Sequence, residues 1–275
     1  MPADRIDDPF EESRVSEVRL KDSPLEVALF QVRFPGPVTR IEQAIDNNGI
    51  AQALSSEYPF ADRQEVVSFI IQPGHQPSPQ KAANTVALSL SDASQKWTLN
   101  VARDSVSLTT TAYVNRDDLL ERAGRIFRAL SDVAEPPAVA RVGLRYLNRV
   151  RDVGLIKKFC GNGGLVDPIR QLQEFSLAKD GIQSALTELQ FAWTPEQKLQ
   201  ARWGLLPAGQ TVANPFEPLP HPSWLLDVDA YYESLFDFSS EEVVKRLKVL
   251  SERAYRYFRW VFTPEALPDF GALDA

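Results

Sequence analysis

The stretch Ala138–Asp152 reads AVARVGLRYLNRVRD and alternates with a period of two. Side chains two apart on a strand share a face. Arg141, Gly143, Arg145, Leu147, Arg149 and Arg151 therefore fall on one side. Val142, Leu144, Tyr146, Asn148 and Val150 fall on the other and read as core. A long strand with one packed face and one charged face belongs to an antiparallel sheet covered by helices on one side only.

The pattern extends in both directions. Downstream, Val153–Gly181 is weakly patterned and predicts a loop with short helices. Ser184–Trp193 and Lys198–Leu206 read as a hairpin through Thr194-Pro195-Glu196-Gln197. After a proline-rich loop, Trp224–Tyr232 is another strand. Ser239 or Ser240 then caps a long helix carrying Val243, Leu247, Leu250, Ala254, Tyr257, Phe258 and Val261 on one stripe. Upstream, Leu25–Phe34 is a strand stopped by Pro35-Gly36-Pro37. A helix after Thr39 follows, weakened at Asn47-Asn48-Gly49. Gln64–Gln72, Thr85–Ser91, Lys96–Ala102 and Ser105–Val114 read as strands, and Arg116–Val133 as an amphipathic helix.

The halves match in order and in detail. Leu108-Thr109-Thr110-Thr111-Ala112-Tyr113 leads into the first long helix, and Leu226-Asp227-Val228-Asp229-Ala230-Tyr231 leads into the second. Gln95-Lys96-Trp97 and Gln197-Lys198-Leu199 open the preceding strand region in each half. This predicts an α+β fold of two similar β-α-β-β-β-α halves, arisen by internal duplication and forming a broad antiparallel sheet with the long helices on one face. Residues 1–22 read as a polar tail, 23–136 as the first half and 137–275 as the second, joined in one compact unit.

Composition bounds the class. The 275 residues are 44% apolar and 24% charged, enough for a sizeable core without disulfides. The single cysteine, Cys160, fits a reducing compartment, and MPADRIDDPFEESR has neither the basic nor the apolar region of a signal peptide. The expectation is a cytoplasmic protein with no membrane span. A net charge of −7 disfavours nucleic acid as a partner. The glycine-rich Gly161-Asn162-Gly163-Gly164 lacks the lysine and frame of a phosphate loop. His75 and His221 lie far apart in proline-rich loops, beside no identifiable nucleophile.

Pro24-Leu25-Glu26-Val27 with Arg33-Phe34, and Arg141-Val142-Gly143-Leu144-Arg145-Tyr146-Leu147-Asn148-Arg149, resemble the signatures of a sporadically distributed bacterial family of uncharacterised proteins. The resemblance spans roughly residues 22–270. It implies a bacterial origin and a shared fold, without a mechanism, and its patchy occurrence suits mobile or defence-associated genes.

Three constellations carry possible chemistry. Arg141, Arg145, Arg149 and Arg151 along one strand face can grip phosphate or carboxylate groups. The simpler reading of the same row is an ion-pair ladder with Glu26, Glu188, Asp227 and Asp229, and a third is a charged protein interface. Asp227 and Asp229 share a strand face and, with Glu188, form a candidate divalent-metal set. On the last helix, Tyr255, Arg256, Arg259 and Trp260 point away from the core stripe and read as an interface. The reading that follows is a non-catalytic binding protein, antitoxin-like or defence-associated, with a protein partner or a second copy of itself and no cofactor. The alternative is a phosphate-ligand sensor or metal-dependent phosphohydrolase using the arginine face, with a small anion as ligand.

Overall fold

The structure, a computed structural model, describes residues 4–65, 69–70, 78–79, 86–178 and 181–272. The first half contains β1 (Leu25–Arg33), α1 (Thr39–Asp46), α2 (Gly49–Ala53) and β2 (Phe60–Glu65). It continues with β3 (Phe69–Ile70), β4 (Ser78–Pro79), β5 (Val86–Ser91), β6 (Trp97–Ala102), β7 (Ser105–Thr110) and α3 (Arg116–Ala134). The second half contains β8 (Ala138–Val150), α4 (Val153–Asn162), α5 (Asp167–Ala178), β9 (Ala185–Ala192), β10 (Gln197–Leu206), β11 (Ser223–Asp237) and α6 (Ser240–Val261).

Nine strands form one sheet in the order β2-β5-β6-β7-β1-β8-β11-β10-β9, and every pairing is antiparallel. β1 and β8 meet at the centre, Phe30 opposite Leu144 and Ala28 opposite Tyr146. Outward from this seam, β7, β6 and β5 on one side answer β11, β10 and β9 on the other. α3 follows β7 as α6 follows β11. The two similar halves thus share one antiparallel sheet, and β2 adds an edge strand to the first.

The helices cover one face. Leu119, Ala123, Phe127 and Leu130 of α3 and Val243, Leu247, Leu250, Ala254 and Tyr257 of α6 are buried with Phe30, Val32, Leu99, Leu108, Leu144 and Leu226 in one continuous core. Full burial of each such Leu or Phe contributes about 1.5–3 kcal/mol. Asn115 and Ser239 cap α3 and α6 through their side chains, accepting from the backbone N–H of Asp118 and Glu242. Both prolonged helices were legible in the periodicity. The helix after Thr39 breaks at Asn48, whose φ of 60° ends one turn and starts the next. α4 and α5 occupy the weakly patterned connector. On the opposite sheet face a small cluster of Val27, Leu147, Leu206, Phe216 and Leu225 lies beneath the 207–222 loop. Among the described residues no helix covers the rest of that face.

One expectation changes. Residues 4–22 are not a loose tail but a strap laid along α6. Arg256 donates to the carbonyls of Asp8 and Ser13 at 2.8 and 2.9 Å and pairs with Glu11 at 2.7 Å. Arg259 donates to the carbonyls of Ser16 and Asp4. Phe10 stacks on Phe191 of β9, ring centroids 3.7 Å apart, and its carbonyl accepts from the Trp193 indole at 2.7 Å. The strap ends by bonding Lys21 and Asp22 to the carbonyls of Gly271 and Phe270.

Candidate functional site

The helix-free sheet face is built by alternation. From β6 through β10 it presents Thr98 and Asn100, Ser107 and Thr109, Gln31, Arg141 and Arg145, Asp229 and Tyr231, then Lys198, Gln200 and Arg202, all partly exposed. The first half contributes mainly neutral hydrogen-bonding side chains, with Leu29 and Arg33 beside Gln31 on β1, and the second half contributes most of the charge.

The arginines are not a free comb for anions. Arg145 grips Asp227 with two parallel bonds of 2.7 and 2.8 Å, and Arg202 reaches the same carboxylate at 2.7 Å. Arg141 pairs with Asp229 at 3.1 Å, lying back over Gly143 and against the Tyr231 ring. A Cβ at residue 143 would sit 2.5 Å from the Arg141 Nη1, so glycine is what lets this side chain lie flat. Arg149 is buried over Phe216, 3.5 Å from the ring centroid, and donates to the Glu217 carbonyl at 2.6 Å. Arg151 pairs with Glu26 at 2.7 Å. An anion at Arg141, Arg145 or Arg151 would have to displace a carboxylate already in place, while Arg149, whose Nε and Nη2 have no hydrogen-bond partner, is buried against Phe216. Burial pushes the Asp229 carboxyl above the ordinary aspartate range, against the pull of Arg141 and Arg145. Burial opposes the Arg145 cation, but its bonds to Asp227 hold its pKa above the ordinary arginine value.

The metal reading is corrected in the same geometry. Asp227 serves two guanidiniums, Asp229 serves a third, and Glu188 lies across from Arg202 on edge strand β9, accepting from Gln190. Among the described residues no three acidic, histidine or cysteine side chains converge as a metal-binding group. The carboxylates face arginines, and the counter-charge a metal would supply is already there.

The proposed outward row of α6 is corrected too. Arg256 and Arg259 are 5% and 1% exposed, because the strap covers them. Tyr255 accepts from the Val18 N–H at 2.8 Å, and Trp260 is half-buried against Tyr257. The partner of Tyr255, Arg256 and Arg259 is the chain's own N-terminal segment. Cys160 is buried, and burial raises its thiol above the ordinary value. His221 is exposed, whereas His75 lies outside the described residues.

A second feature lies on the helix side, where sequence reading placed only core. A cavity of about 700 Å³ opens between the strap, the start of α3 and α6. Its polar floor is continuous. Arg116 Nε donates to Ser251 Oγ at 3.0 Å, Ser251 Oγ lies 3.0 Å from the Tyr146 hydroxyl, and that hydroxyl lies 3.3 Å from Tyr113's. Arg116 also pairs with Glu17 of the strap at 2.7 Å and with Glu252 at 3.3 Å. Asn148 donates from Nδ2 to the Leu226 carbonyl at 3.2 Å, which leaves Oδ1 as the open end of its amide. Burial pushes both the Tyr113 and Tyr146 phenols above the ordinary tyrosine range, so they stay protonated. The signal was present in the sequence: Tyr146 and Asn148 are polar residues in a core row, and Ser251 interrupts an apolar helix stripe.

Among the described residues no helix is long and apolar enough to cross a membrane. No family model matches the chain, and no curated protein matches it. Among solved structures it is similar to the di-domain ARO/CYC StfQ from the steffimycin biosynthetic pathway, with 8% identity and a TM-score of 0.20, over 88% of this chain and 98% of that one. At that TM-score the likeness bears on neither mechanism nor ligand.

Proposed function

We propose that this is a binding protein whose helix-free sheet face receives a protein partner. The observation that carries the reading is the state of the charges on that face: Arg141, Arg145, Arg202 and Lys198 are matched to Asp229, Asp227 and Glu233 within the sheet itself. A lone buried charge is costly at an interface, whereas pairs already formed lose far less when water leaves. Beside them, Thr98, Asn100, Ser107, Thr109 and Gln31 are hydrogen-bonding side chains, most of them short, and the short ones lose little entropy on ordering. A rigid sheet needs little rearrangement to bind, which lowers the cost of association. The sequence resemblance is what suggests an antitoxin-like or defence-associated setting. The phosphate-ligand alternative is weakened because Asp227 and Asp229 already occupy the guanidiniums.

The test places a photo-crosslinking phenylalanine at Ser107, at Gln200 or, on the outer surface of α6, at Lys248, in protein expressed in its native host. Capture of one and the same protein from Ser107 and Gln200, but not from Lys248, is expected. Capture confined to Lys248, or none from either sheet position, overturns the proposal.

A further inference from the structure

The cavity behind the strap has the features of a ligand site, and it lies on the opposite side of the sheet from the proposed partner face. Its walls include four aromatic rings, Tyr113, Tyr146, Tyr255 and Phe258, with Leu20 and Leu25 between them. The charged lining cancels: Glu17, Asp22 and Asp117 are three negative groups against the three positive groups Arg19, Lys21 and Arg116. Arg116, the buried cation among them, already donates to Ser251, Glu17 and Glu252. Arg19, Lys21, Asp22 and Asp117 are exposed to water, so the buried part of the cavity offers neither an anion nor a cation a free counter-charge.

Only the first bond of the hydroxyl relay has a fixed direction. Arg116 can only donate, so Ser251 Oγ accepts from it. Ser251 is then free to give its own hydrogen to Tyr146, and Tyr146 its hydrogen to Tyr113, since either hydroxyl of each pair can donate. In that arrangement the Tyr113 hydrogen is left at the end of the chain, where the ring lines the cavity. Asn148 supplies the complementary group, an open carbonyl oxygen on a residue that is only 4% exposed. A hydrogen-bond donor and an acceptor thus flank an aromatic, charge-balanced space.

We propose that this cavity binds an uncharged aromatic molecule bearing a hydroxyl or N–H group, which donates to Asn148 Oδ1 and accepts from the Tyr113 hydroxyl. Residues 17–23 form one wall, so the strap that covers α6 also holds the site closed. The test uses isothermal titration of the full chain with a matched trio: 2-naphthol, 2-naphthoate and 2-naphthylmethylammonium. Saturable one-to-one binding of 2-naphthol is expected, with both charged analogues about tenfold weaker or worse. Tyr113→Phe and Asn148→Leu should each weaken 2-naphthol about fivefold, the worth of one hydrogen bond. Tyr113 is only partly buried, so Tyr113→Phe keeps the test decisive if Asn148→Leu fails to fold. Absence of saturable 2-naphthol binding, equal binding of all three probes, or unchanged affinity in Tyr113→Phe overturns the proposal.

Discussion

At Asp227 four hydrogen bonds from two arginines converge on a carboxylate whose side chain is 6% exposed. Removing its charge leaves Arg145 and Arg202 without their shared partner in a partly dry setting. Asp227→Asn is therefore expected to cost about 2–3 kcal/mol, below the full penalty for a buried pair because both arginines keep some contact with water. Arg202→Gln should cost less than about 1 kcal/mol, since Asp227 keeps its bidentate bond to Arg145. Urea unfolding of the two variants measures the contrast, and equal losses would show that Asp227 is not the centre of the group. The alternation of β8 and of β11 made the charged face legible, down to the acids that answer the arginines. It did not disclose the partners. Asp229 lies directly opposite Arg145 in the register, yet Arg145 bonds Asp227 while Arg141 bonds Asp229. The diagonal choice comes from strand twist and from the space over Gly143, neither of which is written in a period of two.

The helices and strands announced themselves through capping and periodicity, but the strap did not. Its few apolar residues, Ile6, Pro9, Phe10, Val15, Val18 and Leu20, have no sustained period, and Arg256 and Arg259 hold it largely through backbone carbonyls, which carry no sequence signature. Phe10 is the one large side chain that anchors it, stacked on Phe191 and edge-on to Trp193. Phe10→Ala should cost about 2 kcal/mol and raise deuterium uptake across residues 4–22 while β8 stays protected. Full exchange of the strap in the unmodified protein would return it to the status of a tail. The start of α6 offers a second test. Arg246 donates to Glu242 at 2.9 Å in the first turn and holds its carboxyl below the ordinary glutamate value. A carboxyl depressed in the folded state contributes stability above its ordinary pKa, and that contribution is lost as pH falls through the folded value. Glu242→Gln should therefore lower stability by about 0.5 kcal/mol at pH 7 and make little difference near pH 3. A deficit that persists unchanged in acid would rule out the ionic origin.

Across the whole molecule, the order β5-β6-β7-β1 and β8-β11-β10-β9 reads the same outward from the β1–β8 seam, with a long helix after β7 and after β11. The matched phrases lie in the corresponding strand-to-helix part of each half but out of register, Ala112-Tyr113 beyond the end of β7 and Ala230-Tyr231 within β11, paired with Leu199 and Lys198. We propose that the repeat records a duplication. Its physical consequence is a seam that does not behave as a domain boundary. β1 and β8 pair from Leu25 to Arg33, α3 packs on α6, and a single core runs through both helices. Neither half can lose its structure without exposing a full strand edge and the apolar face of the other's helix, so unfolding should be one cooperative event. Trp97 in the first half and Trp224 in the second are 4% and 1% exposed, and each reports its own side of the seam. With the five tryptophans replaced by 5-fluorotryptophan, the fluorine resonances of Trp97 and Trp224 should leave their native positions at the same urea concentration. Midpoints that separate, with one resonance native while the other is not, would mean that the halves fold as independent units and that the shared sheet contributes little to holding them together.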